Sequence, residues 1–352
     1  MRCSRTAYIA AQVSAALIAV SAHAATLNVP SEYPTIQAGV DAAAAGDTVA
    51  VYPGLYREHY IWLPRSITIT GVTGHSRDVV IDAEQAEGIF VAIGTPYVRL
   101  EHVTLQNGAG DPGGAVYFLW VTSAVIANCW FERNTSPGSD ATGGAIRFAG
   151  APTSLLLSDC TFVDNKAKDE SARGSGGAVM VSNGASATME RCLFFGNVAN
   201  IQGGAVTFTG APASQVSHCT LVGNVAPWGS ALVSHQSVVE LDRCIIASNA
   251  PGRPVWCPAG TIDLSCSDVF GNEFGDWVDC LAGLDGVNGN FSAAPLFCDL
   301  EDGDFTLASD SPCLPGNHPD GVDCGLIGAL GQGCGTVSLE SKSWGQIKGL
   351  YR

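Results

Sequence analysis

The chain has 352 residues and a formal net charge of −16, with 17 Lys and Arg against 33 Asp and Glu, yet only 14% of it is charged and 46% is hydrophobic. So apolar a composition excludes a disordered chain. The acidic balance argues against nucleic acid or an anionic membrane surface as partner, because both would repel it.

Residues 1–24 read as a signal peptide. Arg2 and Arg5 form a basic start, Ala7 to Val20 is an apolar run, and Ala22-His23-Ala24 supplies a small-x-small cleavage pattern. The run is short for a membrane span, which needs about 20 residues. The mature chain is therefore expected to be exported, secreted or held at the cell surface, without a membrane span, and monomeric. Residues 25–60 read as an N-terminal cap and entry strand. Within them Pro34 to Ala45 forms a short amphipathic helix, opened by proline and closed by Gly46, that covers one apolar end of the main body.

An internal repeat comes next. Each unit holds a strand-like stretch, a Cys, an apolar residue two later, an Asn five later, a variable loop and then Gly-Gly-Ala. The pairs are Cys129/Asn134, Cys160/Asn165, Cys192/Asn197, Cys219/Asn224 and Cys244/Asn249, with Cys266/Asn272 as a slipped copy at an offset of six. The glycine pairs are Gly113-Gly114, Gly143-Gly144, Gly176-Gly177 and Gly203-Gly204, followed by a degenerate Gly229-Ser230. Successive cysteines lie 31, 32, 27, 25 and 22 residues apart. Such periods mean a solenoid, a propeller or an array. The units lack helical periodicity and are too short for propeller blades, so the fold class is all-β, a right-handed parallel β-helix of nine or ten coils with two or three short strands each. Asn suits a bend in every coil.

Alternation sets the sides. Val116, Ile146, Val179, Val206 and Leu232 face inward, while Tyr117, Arg147, Met180, Thr207 and Val233 face solvent. Ile126, Leu157, Met189, Val216 and Leu241 face inward three residues before each Cys. So do the Cys itself and the residue two after it (Phe131, Phe162, Phe194, Leu221, Ile246). Inward positions at −3, 0 and +2 break strict alternation and require a bulge or corner just before each Cys.

The Phe-x-x-Asn runs with Gly-Gly-Ala-Ile/Val resemble polymorphic outer-membrane protein repeats. More broadly the chain resembles right-handed parallel β-helix proteins of the pectin-lyase-like superfamily, whose entry segments are similar to Val29 through Tyr56. That resemblance implies the fold over roughly residues 26–335. For function it implies lyases, hydrolases, adhesins and binding modules alike. The polygalacturonase-type motifs do not occur in this chain, and neither Lys166 nor Lys168 lies on a repeat strand.

The column cysteines read as a ladder of buried thiols behaving as small apolar groups, Cys266 included. One or two disulfides along the column are the alternative. Cys257, Cys280, Cys298, Cys313, Cys324 and Cys334 lie in irregular coils at 250–335, where an exported protein is expected to form disulfides. The position before each Cys carries Asn128, Asp159, Arg191, His218 and Arg243, flanked by Glu190 and Asp242, with Trp130 one residue after its Cys. Trp130, Asp159, Glu190, Arg191, His218, Asp242 and Arg243 are the ligand-binding candidates, because carboxylates, Arg and an aromatic ring on one flat face suit a sugar polymer. The competing reading is a solvated sheet face. Asp111, Asp140 and Asp169 precede the Gly-Gly turns and are weaker Ca²⁺ candidates; no cofactor is required. Residues 336–352 form a tail whose Trp344, Ile347, Leu350 and Tyr351 share a helical face, a candidate sorting signal against a frayed end. Two functions compete: non-catalytic binding of a polysaccharide or cell-surface component, which is favoured, and a polysaccharide lyase or glycoside hydrolase acting on an acidic polymer.

Overall fold

The structure, a computed structural model, describes residues 24–138, 141–168, 174–300 and 302–337. The signal-peptide and tail readings, and Asp140 and Asp169, fall largely or wholly outside them. Four parallel sheets run the length of a right-handed β-helix. The first holds ten strands from Thr26–Val29 to Thr261–Ser265, the second eight, the third nine and the fourth five two-residue strands. A representative coil passes through Val116–Leu119 in the second sheet, Ser123–Ala127 in the first, Trp130–Glu132 in the third and Thr135–Ser136 in the fourth. The middle coils thus have one strand more than expected.

Left-handed residues turn the corners. One column of them precedes the Cys positions: His102, Asn128, Asp159, Arg191, His218 and Arg243 all have φ between 49° and 57°. A second precedes the Asn positions, at Asn107, Arg133, Asp164, Gly196, Gly223 and Ser248. This is the corner that the −3, 0, +2 pattern demanded. Asn, Asp and Gly accept it readily, whereas Arg there costs about 1 kcal/mol. The glycine pairs mark another corner. Gly113, Gly143, Gly176 and Gly203 have positive φ, and a Cβ on Gly114, Gly144 or Gly177 would collide with the carbonyl of the next coil's second glycine.

The asparagines stack as expected, fully buried. Asn165 Nδ2 donates to Phe131 O and to Asn197 Oδ1, both at 3.0 Å, while Asn165 Oδ1 accepts from the amide and Nδ2 of Asn134. The pattern continues through Asn224 and Asn249 to Asn272. Each net bond contributes about 1 kcal/mol, and leaving a buried amide unpaired costs more.

All the positions assigned inward, Cys266 apart, are buried. Of those assigned to solvent, Met180, Thr207 and Val233 are buried too. They do point outward, but the turn at the first glycine of each pair brings its backbone beside them: a Cβ on Gly176 would lie 3.0 Å from that of Met180.

The cap helix α1 is Ile36–Ala42, shorter than Pro34 to Ala45, because Thr35 is its N-cap, accepting from the Ala38 amide. Ile36 and Val40 join the solenoid core and close its first end. At the other end Leu281 enters the core. From there residues 292–334 do not form further coils. They turn back as a strap with its own three-stranded sheet, Phe297–Asp299, Asp304–Ala308 and Gln332–Cys334. The strap covers the outer side of the third sheet, where Leu193, Phe195, Val222, Ile245 and Ala247 meet Phe305, Leu307, Leu314 and Ile327 in a second core.

Two cysteine expectations need correction. Cys266 leaves the thiol ladder and pairs with Cys324, while Cys313 is free and buried; Cys257–Cys280 and Cys298–Cys334 are the other disulfides. The extra residue in the Cys266/Asn272 copy is the cause. Cys266 occupies the left-handed corner (φ 46°) and turns outward, and Ser267 takes the inward place, accepting from the Cys244 amide at 3.0 Å. Five thiols remain in the column and are not purely apolar. Cys160 Sγ, for example, donates to Ile126 O at 3.4 Å. Burial pushes Cys129 and Cys244 up to about 12, so both stay protonated and inert.

Candidate functional site

The corner column does form one ladder on the surface, but its members divide into three groups. Asp242 and Arg243 are engaged by the strap: Arg243 Nε donates to Cys324 O at 2.6 Å, Nη1 holds Asp242 at 2.6 Å, and Ser265 Oγ donates to Asp242 at 2.9 Å. Arg191 grips both oxygens of Asp159, at 2.7 and 3.0 Å, and pairs with Glu190 as well. Those bonds, Asp159 first, raise the Arg191 pKa and keep its charge fixed. His218 is half-buried with no hydrogen-bond partner for Nδ1 among the described residues. Burial first, and Arg243 second, hold it below the ordinary imidazole value.

Beside the column, Trp130 shares its surroundings with Asp159 and Asn128. They line a pocket of about 310 Å³ together with His75, Arg77 and Thr161. Thr104 Oγ1 donates to Ser76 O at 2.9 Å and ties the 74–77 loop over the intervening coil. This lets Arg77 reach Trp130, its guanidinium carbon 3.8 Å from the ring centroid. Arg77 Nη1 also meets Glu132 at 2.8 Å, and Glu132 in turn pairs with Arg133. Trp130 is therefore no bare platform; the ring is roofed by Arg77, a cation–π contact of about 1 kcal/mol at such partly exposed sites. Its Nε1 is buried without a hydrogen-bond partner among the described residues. The pocket lies on the third sheet with the 74–77 loop as one wall, and the strap's apolar contacts begin nearby, at Val163.

Sequence reasoning missed Arg77 and His75. They lie in Gly74-His75-Ser76-Arg77, outside the repeat, and nothing local to it signals a reach across one coil to residue 130. For Ca²⁺, no group of three or more His, Cys, Asp or Glu side chains converges among the described residues. Asp111 packs against Gly138, where a Cβ would overlap its carboxylate. No helix among the described residues is long and apolar enough to cross a membrane.

Four-cornered coils, buried Asn and thiol columns and parallel register define a parallel β-helix protein with a surface groove. A family model for the right handed beta helix region matches residues 65–268, more than half of the chain, and the chain belongs to that family. No curated protein matches it in sequence.

Proposed function

We propose that the chain acts outside the cytoplasm as a non-catalytic binder of an extended polysaccharide, laid across the third sheet in the groove between the 74–77 loop and the strap. The stacked Arg77–Trp130 pair carries this reading. A sugar ring packs against the guanidinium and the ring edge it leaves open, and Arg77, Asn128 and Thr161 offer polar groups to its hydroxyls or carboxylate. Asp159 and Arg191 neutralise each other, which favours binding over proton transfer. Three disulfides support an oxidising location. One observation favours the second reading, a lyase or hydrolase: burial, then Arg243, hold the His218 imidazole below its ordinary pKa in the same column, the direction that a general base needs.

The test is purified protein against acidic and neutral polysaccharides, with and without Ca²⁺, following retention and new reducing or unsaturated ends. Retention without cleavage, weakened about tenfold by Trp130→Ala or Arg77→Ala, is expected. Cleavage that disappears in His218→Ala would establish catalysis instead.

A further inference from the structure

A different pocket lies on the outer side of the second sheet, in the first coils. It measures about 400 Å³ and is lined by Tyr60, Val91, Ile93 and Tyr117, with Glu87 and Asp111 among its polar groups. The 107–113 loop folds over the sheet to make one wall, fixed by the Ala109 amide donating to Glu87 O at 2.8 Å. Glycines make this wall tight. A Cβ on Gly110 would lie 2.6 Å from Gly113 O and 2.9 Å from Gly88 Cα, so larger residues cannot enter without moving the backbone. The cavity is thus preformed, and its size falls in the range of small-molecule sites.

Tyr60 adds an independent sign. Its φ is 52°, and the residue at the same register in the following coil, Ile89, does not share this conformation. It therefore belongs to none of the recurring corners. A bulky residue in the left-handed region is strained by about 1 kcal/mol or more. The Tyr60 amide donates to Gly88 O at 2.7 Å, and the side chain stands at the pocket with the residue 56% exposed. The fold holds an aromatic ring in the open at a cost, beside a built cavity.

We propose that this pocket is a second ligand site, separate from the groove, which takes one neutral sugar ring of an oligosaccharide. The apolar faces of Tyr60, Tyr117, Val91 and Ile93 match the C–H face of a pyranose. Glu87, whose Oε2 lies 3.9 Å from His59 Nδ1, offers an acceptor to its hydroxyls, and the charged residues lining the cavity among those described, Glu87 and Asp111, are both acidic, which disfavours an anionic ligand. The site does not depend on the groove reading.

Calorimetric titration and saturation-transfer NMR with the neutral hexasaccharides of cellulose, xylan, mannan and chitin test it. At least one is expected to bind, with affinity lowered tenfold or more in Tyr60→Gly, which also relieves the backbone, and kept in Leu156→Ala, at an exposed position on the first sheet. A thermal melt of each variant confirms folding. The proposal is overturned if none of the four binds at millimolar concentration, if Tyr60→Gly binds as well as the parent, if Leu156→Ala lowers the affinity as much as Tyr60→Gly does, or if Ca²⁺ or an acidic polymer alone occupies the site.

Discussion

Asp268 is a carboxyl sealed from water where the strap meets the solenoid. It accepts from the Ala293 amide at 3.1 Å and from Cys313 Sγ at 3.4 Å, and burial first, with Asp276 adding repulsion, raises its pKa to about 7. A carboxyl whose folded pKa lies above its unfolded value takes up a proton on folding. Its contribution is complete below the ordinary carboxylate value of 3.8 and is lost as pH rises through about 7. The parent should therefore lose a few kcal/mol of stability between about pH 4 and 8 from this group alone. Asp268→Asn keeps one acceptor and removes the charge, so denaturant midpoints measured across that range should flatten; an unchanged slope would exclude the assignment. Nothing in the sequence marks Asp268, which is one of many acids in a loop-rich region. Its burial depends on a strap that returns from residues 292–334, and contacts so distant along the chain leave no periodic trace.

The third sheet shows what periodicity does convey. Phe131, Phe162 and Phe194 are successive inward residues, and their rings stack at centroid distances of 4.7 and 4.8 Å, nearly parallel. In-register strands impose that spacing, which is the strand separation itself. Phe162 has a ring on both sides, so Phe162→Ala should cost about 3–5 kcal/mol, read as a shifted urea midpoint. A cost below about 1 kcal/mol would mean that the column is not core. The Cys, Phe and Asn columns were readable because identical residues at fixed offsets leave stacking as the one arrangement that satisfies them all. The outer positions were only half readable. Alternation told that Met180, Thr207 and Val233 point out, but not that glycine turns cover them, nor that Leu193, Phe195 and Ile245 face outward into a second core. Of the candidate site, Trp130 and Asp159 do line the groove. Arg77 came from a loop with no repeat to index it, and Arg243 was assigned to an open face that the strap occupies.

At the scale of the whole molecule, the strap is held across a chain separation of 58 residues by Cys266–Cys324. A loop of that length implies up to about 4 kcal/mol from the cross-link. In the double variant Cys266→Ser/Cys324→Ser, the apolar surface of Phe195, Val222 and Ile245 should become accessible. Increased binding of a hydrophobic dye and proteolytic cleavage within 292–334 would report it, while the far-ultraviolet spectrum of the solenoid persists. A variant indistinguishable from the parent in dye binding and proteolysis would show that the second core holds the strap unaided. The one-residue slip at Cys266 has a wider meaning. A solenoid whose every coil is a template for the next has no intrinsic stop; growth ends only where the template is spoiled. The additional residue comes just before that point, since residues 288–291 still pair with residues 266–269. It puts Ser267 where a thiol would continue the column, and Asn290 comes after it, with Nδ2 donating to Leu264 O at 2.9 Å. The displaced sulfur becomes the tether for the strap. The strap is thus anchored at the last full coil, and such a chain could change length by gaining or losing whole coils ahead of this point without redesigning its end.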